Sequence, residues 1–309
     1  MNQKLADTIS TFKSIALKLN LFLVAQKEIP YGVQLEYSRI NEKSKINIYY
    51  SEKKDRVSFT VPKKDTLLNY YLNEAVIQIQ KHNSIPDILD LHNWKNWIGS
   101  DESGKGDYFG PLVVAAFYCR YQDIAVLQRL GVKDSKQLQD AQINIMAKKV
   151  MERFPTQYLL ITLVPKKYNE LYHKFANSNK NLNHLLGWCH SKVISSLAKK
   201  FNPDGIFVDK FTNQGIIEYY LNSEKIDSCD VLQANQGERD IAVATASILA
   251  RAKFNAGIEY FSKQLGITIP KGGGANTITA GKKITNKLGQ AALEEVAKLH
   301  FKNTNKILG

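Results

Sequence analysis

Two short apolar runs in this chain stop on an acid. "WIGSDES" reaches Asp101 and Glu102 just before the loop "GKGDYFG", and "GIFVD" ends on Asp209. Short apolar runs bounded by turn residues read as buried strands. Helical spacing fills the stretches between such runs, so the chain from residue 97 predicts an α/β domain with a mixed sheet flanked by helices. In open α/β sheets, sites gather in the crevice at strand ends. Carboxylates meeting there raise the pKa of one member and destabilise the fold. Hard divalent cations relieve that conflict, because Mg²⁺ takes oxygen ligands, commonly one or two carboxylates with water and substrate phosphate. Two such ions about 4 Å apart can activate a water and stabilise a leaving oxygen. Successive side chains on a strand point to opposite faces. Glu102 is therefore expected where the strand gives way to the loop. The plainer reading is that acids at strand ends cap helices or form turns. Two adjacent acids, a glycine loop and a second acid-tipped strand together favour function.

The remaining elements follow the same grammar. Helices are expected at 121–130, 139–153, 166–176, 181–200 and 213–222, with strands at "QYLLITLV" and "CDVLQA". A long helix covers "IAVATASILARAKFNAGIEYFSKQL". The N-terminal part reads differently. Ile9, Phe12, Ala16 and Leu19 recur at helical spacing over 4–20. Alternation follows at Val33, Leu35 and Tyr37, then Ile46 and Ile48, then Val57, Phe59 and Val61. A second helix fits "TLLNYYLNEAVIQIQ". The expected domains are a small α+β unit at 1–85, a linker at 86–94 and an α/β unit at 95–309.

Charge narrows the class of partner. The 309 residues carry a net +13, of which residues 1–85 hold +5 and the remainder +8. Two basic modules favour a shared polyanion. Three cysteines without a CxxC pair exclude a disulfide framework or familiar zinc spacing. No HExxH pair occurs. Lys4, Asp7, Lys13 and Lys18 interrupt the first apolar residues, so no secretory leader is expected. "PLVVAAFYC" is too short to span a bilayer. A soluble, cytoplasmic protein is expected, monomeric and without membrane or protein partners. The loop "GKG" lacks the GxxxxGK[ST] spacing of a P-loop, which leaves ATP binding unsupported.

Five motifs carry a family resemblance: "GSDESGKGDYFGPLVVAA", "LGVKDSKQL", "IFVDKF", "AVATASILARAKF", and "PKGGGAN" with "KLHFKNT". In order and separation they resemble the type 2 ribonucleases H, and within them ribonuclease HIII, over residues 97–304. The helix-flanked meander resembles, by arrangement, the TATA-box-binding-protein-like domain of ribonuclease HIII. The resemblance implies a ribonuclease H-like fold and a two-metal site using Mg²⁺ or Mn²⁺. It also implies hydrolysis of the RNA strand of RNA–DNA hybrids, leaving 5′-phosphate and 3′-hydroxyl ends. Asp101, Glu102 and Asp209 become the metal-binding carboxylates. Gly104, Lys105 and Gly106 would meet the 2′-hydroxyls of the RNA strand. Lys133, Ser135 and Lys136 match the family's "KDSK" stretch, the lysines as phosphate contacts. The fourth acid lies between Glu238 and Asp240, in a segment one residue shorter than the family pattern. Counting forward from Asp209 favours Glu238, whereas Asp240 suits a helix N-terminus. Ser247 reads as a packing residue.

Two rivals remain: nicking at single ribonucleotides in duplex DNA, as ribonuclease HII does, and non-catalytic hybrid binding. The intact acid set argues against a pure binder, which gains nothing from a negative pocket.

Overall fold

A computed structural model describes every residue except 1, 41, 63–65, 85–91, 133–137, 213–214 and 227–228. The chain divides into two units, Met1–Asp87 and Ile88–Gly309.

In the first unit, helix α1 (Gln3–Lys18) is capped by Asn2, whose side chain accepts the Lys4 N–H. Strands β1 (Phe22–Ile29), β2 (Gly32–Arg39), β3 (Glu42–Ser51) and β4 (Arg56–Thr60) form an antiparallel meander in sequence order. Helix α2 (Leu67–Ser84) closes the unit. Val33, Leu35 and Tyr37 of β2 and Ile46 and Ile48 of β3 bury one sheet face against Ile9, Phe12, Leu68 and Leu72 of the helices. Each such aliphatic side chain contributes about 1.5–3 kcal/mol relative to exposure.

The sequence suggested three strands here, and the structure has four. Strand β1 is an edge strand that is exposed along nearly its whole length. Alternation marks a strand only when one face is buried and the other wet, so β1 left no period-2 pattern to read. A bulge between Leu23 and Ala25 also shifts its register.

The second unit is built on the order β7-β6-β5-β8-β9. Its strands are β5 (Asn96–Ser103), β6 (Leu112–Arg120), β7 (Tyr158–Leu163), β8 (Gly205–Asp209) and β9 (Asp230–Ala234). The β5–β6 and β6–β7 pairs are antiparallel, and the β5–β8 and β8–β9 pairs are parallel. Helices α3 (Ile124–Arg129) and α4 (Asp140–Arg153) follow β6. Helices α5 (Pro165–Ala176) and α6 (Leu182–Phe201) lie between β7 and β8, and α7 (Ile216–Ser223) lies between β8 and β9. Helix α8 (Ile241–Leu265) then leads to α9 (Ala275–Leu288), α10 (Ala292–Val296) and α11 (Asn303–Leu308).

Period 2 sorts β5 and β6 between two cores. Trp97, Val113, Ala115 and Phe117 face α4 and α8, while Ile98, Val114 and Ala116 face α6. Gly99 lets α8 lie on β5, since a Cβ there would sit 2.2 Å from Ala242 backbone. Strand β6 is buried on both faces, which explains its unbroken apolar run.

His92 and Trp94, assigned from sequence to the linker at 86–94, pack instead in the second unit. Their rings stack at 4.3 Å, and His92 Nε2 lies 3.3 Å from a buried Asp240 oxygen. Residues 85–91 lie outside the described residues.

Candidate active site

The parallel β5–β8 pairing stops at Ser100 and Val208, whereas β5–β6 pairing runs on to Ser103 and Val113. Asp101 and Glu102 therefore occupy a strand end held from one side only. Glu102 lies within regular strand, paired with Val114. Regular pairing runs through Glu102 to Ser103, one residue past the point where the strand is expected to give way to the loop. The antiparallel partner keeps the backbone extended, and Gly104, at φ +88°, makes the turn. The two carboxylates consequently leave β5 on opposite faces.

Asp101 is buried on the α8 side and hydrogen-bonds Ser247, which therefore does more than pack. Its Oδ1 accepts the Glu102 N–H at 2.7 Å. Burial, then the charge of Glu102 and, more weakly, that of Asp209, push its carboxyl well above the ordinary 3.8, while the Ser247 bond pulls the other way.

Glu102 faces α6. Its Oε2 lies 3.2 Å from His190 Nε2, and its Oε1 lies 3.5 Å from Lys105 Nζ. Burial pulls this carboxyl upward, but the hydrogen bond and charge of His190, with Lys105, hold it below its ordinary value. His190 Nδ1 sits 2.8 Å from Ser100 Oγ, which donates to Ala115 O at 2.7 Å. The His190 ring stacks on Phe211 at 4.9 Å and 4°. Sequence reasoning passed over Ser100 and His190. No local signal marked the pair, since Ser100 lies between Gly99 and Asp101, His190 lies between Cys189 and Ser191, and nothing local joins residues 90 apart.

Asp209 ends β8. Its Oδ1 accepts the Gly237 N–H at 2.8 Å. A Cβ on Gly237 would fall 2.9 Å from Asp209 Cα and Oδ1, so the close approach requires glycine. Glu238 is the next residue, half-buried in a single 3₁₀ turn, Gly237–Arg239. Asp240 is wholly buried and caps α8, its Oδ1 accepting the N–H groups of Ala242 and Val243 at 2.9 Å each. The Trp97 indole N–H also donates to it, at 3.0 Å to Oδ2. Those bonds commit Asp240 to the fold.

The loop after the acids is clamped from the C-terminal end of the chain. Gly272 N–H donates to Asp107 Oδ1 at 2.6 Å, and Tyr108 N–H to Gly272 O at 2.9 Å. The wholly buried Lys298 ammonium donates to Asp107 O at 2.8 Å and Gly110 O at 2.7 Å. Burial pushes Lys298 down to about 7. The motifs "PKGGGAN" and "KLHFKNT" thus shape the loop. Gly106 is open to solvent, and Lys105 is part-exposed. Lys133, Ser135 and Lys136 lie outside the described residues. Arg251 pairs with Asp140 at 3.1 Å, as does Lys271 at 2.5 Å.

Among the described residues, no three acid, histidine or cysteine side chains form a ready-made metal cage. Asp101 feels both Glu102 and Asp209, but Glu102 is held on the other face of the strand. The donors still fit a hard cation. All are carboxylate oxygens, one is buried against its own charge, and Mg²⁺ commonly completes its shell with substrate phosphate and water.

A sheet of this order, with acids at the ends of adjacent strands β5 and β8, defines a ribonuclease H-like α/β protein. The family model described as Ribonuclease HII matches residues 98–304. Ribonuclease HIII of Protochlamydia amoebophila is 42% identical over 212 residues, covering 69% of this chain and 68% of its own length. Ribonuclease HIII of Bacillus cereus is 42% identical over 216 residues, covering 68% of each. The crystal structure of Bst-RNase HIII in complex with Mn²⁺ aligns with TM-score 0.65 at 28% identity, over 99% of this chain and 96% of that one. The chain therefore belongs to the ribonuclease HII family, on its ribonuclease HIII branch, and is an endoribonuclease.

Proposed function

We propose that the chain hydrolyses the RNA strand of RNA–DNA hybrids by a two-metal-ion mechanism, leaving 5′-phosphate and 3′-hydroxyl ends. The observation that carries this reading is Asp101, a buried carboxylate repelled by Glu102 and Asp209 at an open strand end. Such a group gains most from a divalent partner. Asp101, Glu102 and Asp209 would hold Mg²⁺ or Mn²⁺, with Glu238 as the fourth acid beside Asp209. When bound, the ions supply an activated water and charge stabilisation at the leaving oxygen. The Mn²⁺ complex of Bst-RNase HIII supports a divalent requirement.

The chain's own groups bind and orient the hybrid. Gly106 offers backbone without side-chain obstruction, and Gly104, Lys105 and Gly106 would meet the 2′-hydroxyl that separates RNA from DNA. Lys133, Ser135 and Lys136 would bind phosphate. The N-terminal unit, at net +5, would add salt-sensitive backbone contacts. A reducing cytoplasm accords with three unpaired cysteines, and the chain would act there as a monomer. Among the described residues, no helix is long and apolar enough to cross a membrane.

The test is cleavage of an end-labelled hybrid with and without divalent ion, beside a duplex bearing one ribonucleotide. Metal-dependent cutting along the RNA strand is expected, and Asp101→Asn should abolish it while hybrid binding survives. Equal turnover by that variant would remove the metal role. Preferential cutting at the lone ribonucleotide would move the substrate to the ribonuclease HII type.

A further inference from the structure

Resting on that reading of the acids, we propose that His190 is a positioning residue that sets the Glu102 carboxylate for metal binding, through a relay running Ala115–Ser100–His190–Glu102. The direction of the relay follows from donor chemistry. Ala115 O can only accept, so the Ser100 hydroxyl proton points to it at 2.7 Å. Ser100 Oγ must then accept at its 2.8 Å contact with His190, which places a proton on Nδ1. The Glu102 carboxylate can only accept, so Nε2, which faces its Oε2 at 3.2 Å, must donate as well, and the relay runs through an imidazolium with a proton on both ring nitrogens.

The ring has little freedom to leave this line. It is wholly buried on α6, and one face lies parallel on Phe211, two residues after Asp209. The imidazole therefore touches both acid-bearing strands' ends, bonding one acid and stacking beside the segment that follows the other. Glu102 is a flexible side chain at a strand end paired on one side. His190 fixes its Oε2. Oε1 lies 3.5 Å from the part-exposed Lys105 and is the oxygen open to a cation once Lys105 turns to substrate. Hydrogen-bond partners behind a ligating carboxylate commonly change metal affinity or activity about 10–100-fold when removed. Full burial keeps His190 from substrate, so its part is orientation.

The experiment is a Mn²⁺ titration of the full-length chain without nucleic acid, read from the electron paramagnetic resonance signal of free aqueous Mn²⁺. Steady-state kinetics on a hybrid accompany it. His190→Ala should weaken Mn²⁺ binding by about tenfold or more and lower kcat, with KM for the hybrid unchanged. Ser100→Ala should weaken Mn²⁺ binding less, in the same direction. His190→Gln, whose amide can donate from near the Nε2 position, should recover most of the loss. Wild-type Mn²⁺ affinity in folded His190→Ala overturns the proposal, even if that variant melts earlier. If His190→Ala does not fold, Ser100→Ala decides, since it removes a single atom, and unchanged affinity there overturns the proposal equally. A wild-type chain that binds Mn²⁺ but leaves hybrids intact defeats the nuclease reading alone. Cleaving variants with unaltered Mn²⁺ affinity defeat only the positioning role. A wild-type chain that takes up no Mn²⁺ defeats both.

Discussion

Asp101 and Glu102 are adjacent in the chain yet leave β5 on opposite faces, Asp101 to Ser247 on α8 and Glu102 to His190 on α6. One carboxylate is thereby buried against like charge, and the other is held by two basic groups. Their unequal surroundings set the first expectation.

Asp101→Asn should raise the melting temperature of the metal-free chain at neutral pH. The folded carboxyl sits well above 3.8, its ordinary value, so the folded state binds the extra proton between the two values. Stability from this group is present at low pH and is lost as pH rises through the folded value. The variant's advantage should therefore shrink as pH falls toward 4. Mn²⁺ should stabilise the wild type and leave the variant largely unmoved. Thermal melts across pH, with and without Mn²⁺, check both.

Glu238 and Asp240 should separate cleanly. Asp240→Ala removes a helix cap worth about 1 kcal/mol and orphans the buried Trp97 N–H at about 1–3 kcal/mol. Denaturant unfolding should register that loss. Glu238→Gln should change stability by less than about 0.5 kcal/mol and strongly lower kcat. The reverse pattern would make Asp240 the fourth acid.

Lys298→Met should destabilise the chain and raise KM, because carbonyls of Asp107 and Gly110 lose their donor at about 1–3 kcal/mol each. A pH signature accompanies it. Lys298 is held down to about 7 from 10.5, so the unfolded chain binds more protons between those values. The wild type should gain stability over the variant as pH rises from 7 toward 10. Paired unfolding curves at several pH values measure this.

Deleting residues 1–85 should weaken hybrid binding more than it slows cleavage of bound hybrid. Fewer phosphate contacts make the dependence of log affinity on log salt shallower. Binding isotherms at several salt concentrations, with single-turnover rates, test it. An unchanged KM would count against a binding role for the N-terminal unit.

Much of the second unit was legible because its signals are local. Strands β5, β6 and β8 are short, largely buried runs bounded by turn or charged residues, and α8 is a long unbroken helical stretch. Alternation exposed β2 and β3 for the same reason. Strand β1 escaped, since an edge strand wet on both faces leaves no periodic mark. His92 and Trp94 were misplaced because an aromatic pair next to an unpatterned stretch resembles a linker until its cavity is known.

The acids, their order along the chain and the glycine loop were written in local chemistry, as carboxylates and glycines at the ends of apolar runs. Which face each acid takes, that Trp97 donates to the buried Asp240, and that Ser100, His190 and Lys298 stand behind the site were decided only by the folded chain. Those relationships join residues about 90 to 190 positions apart, and no sequence pattern records distance in space. Packing of α6 and α8 on opposite faces of β5 creates them.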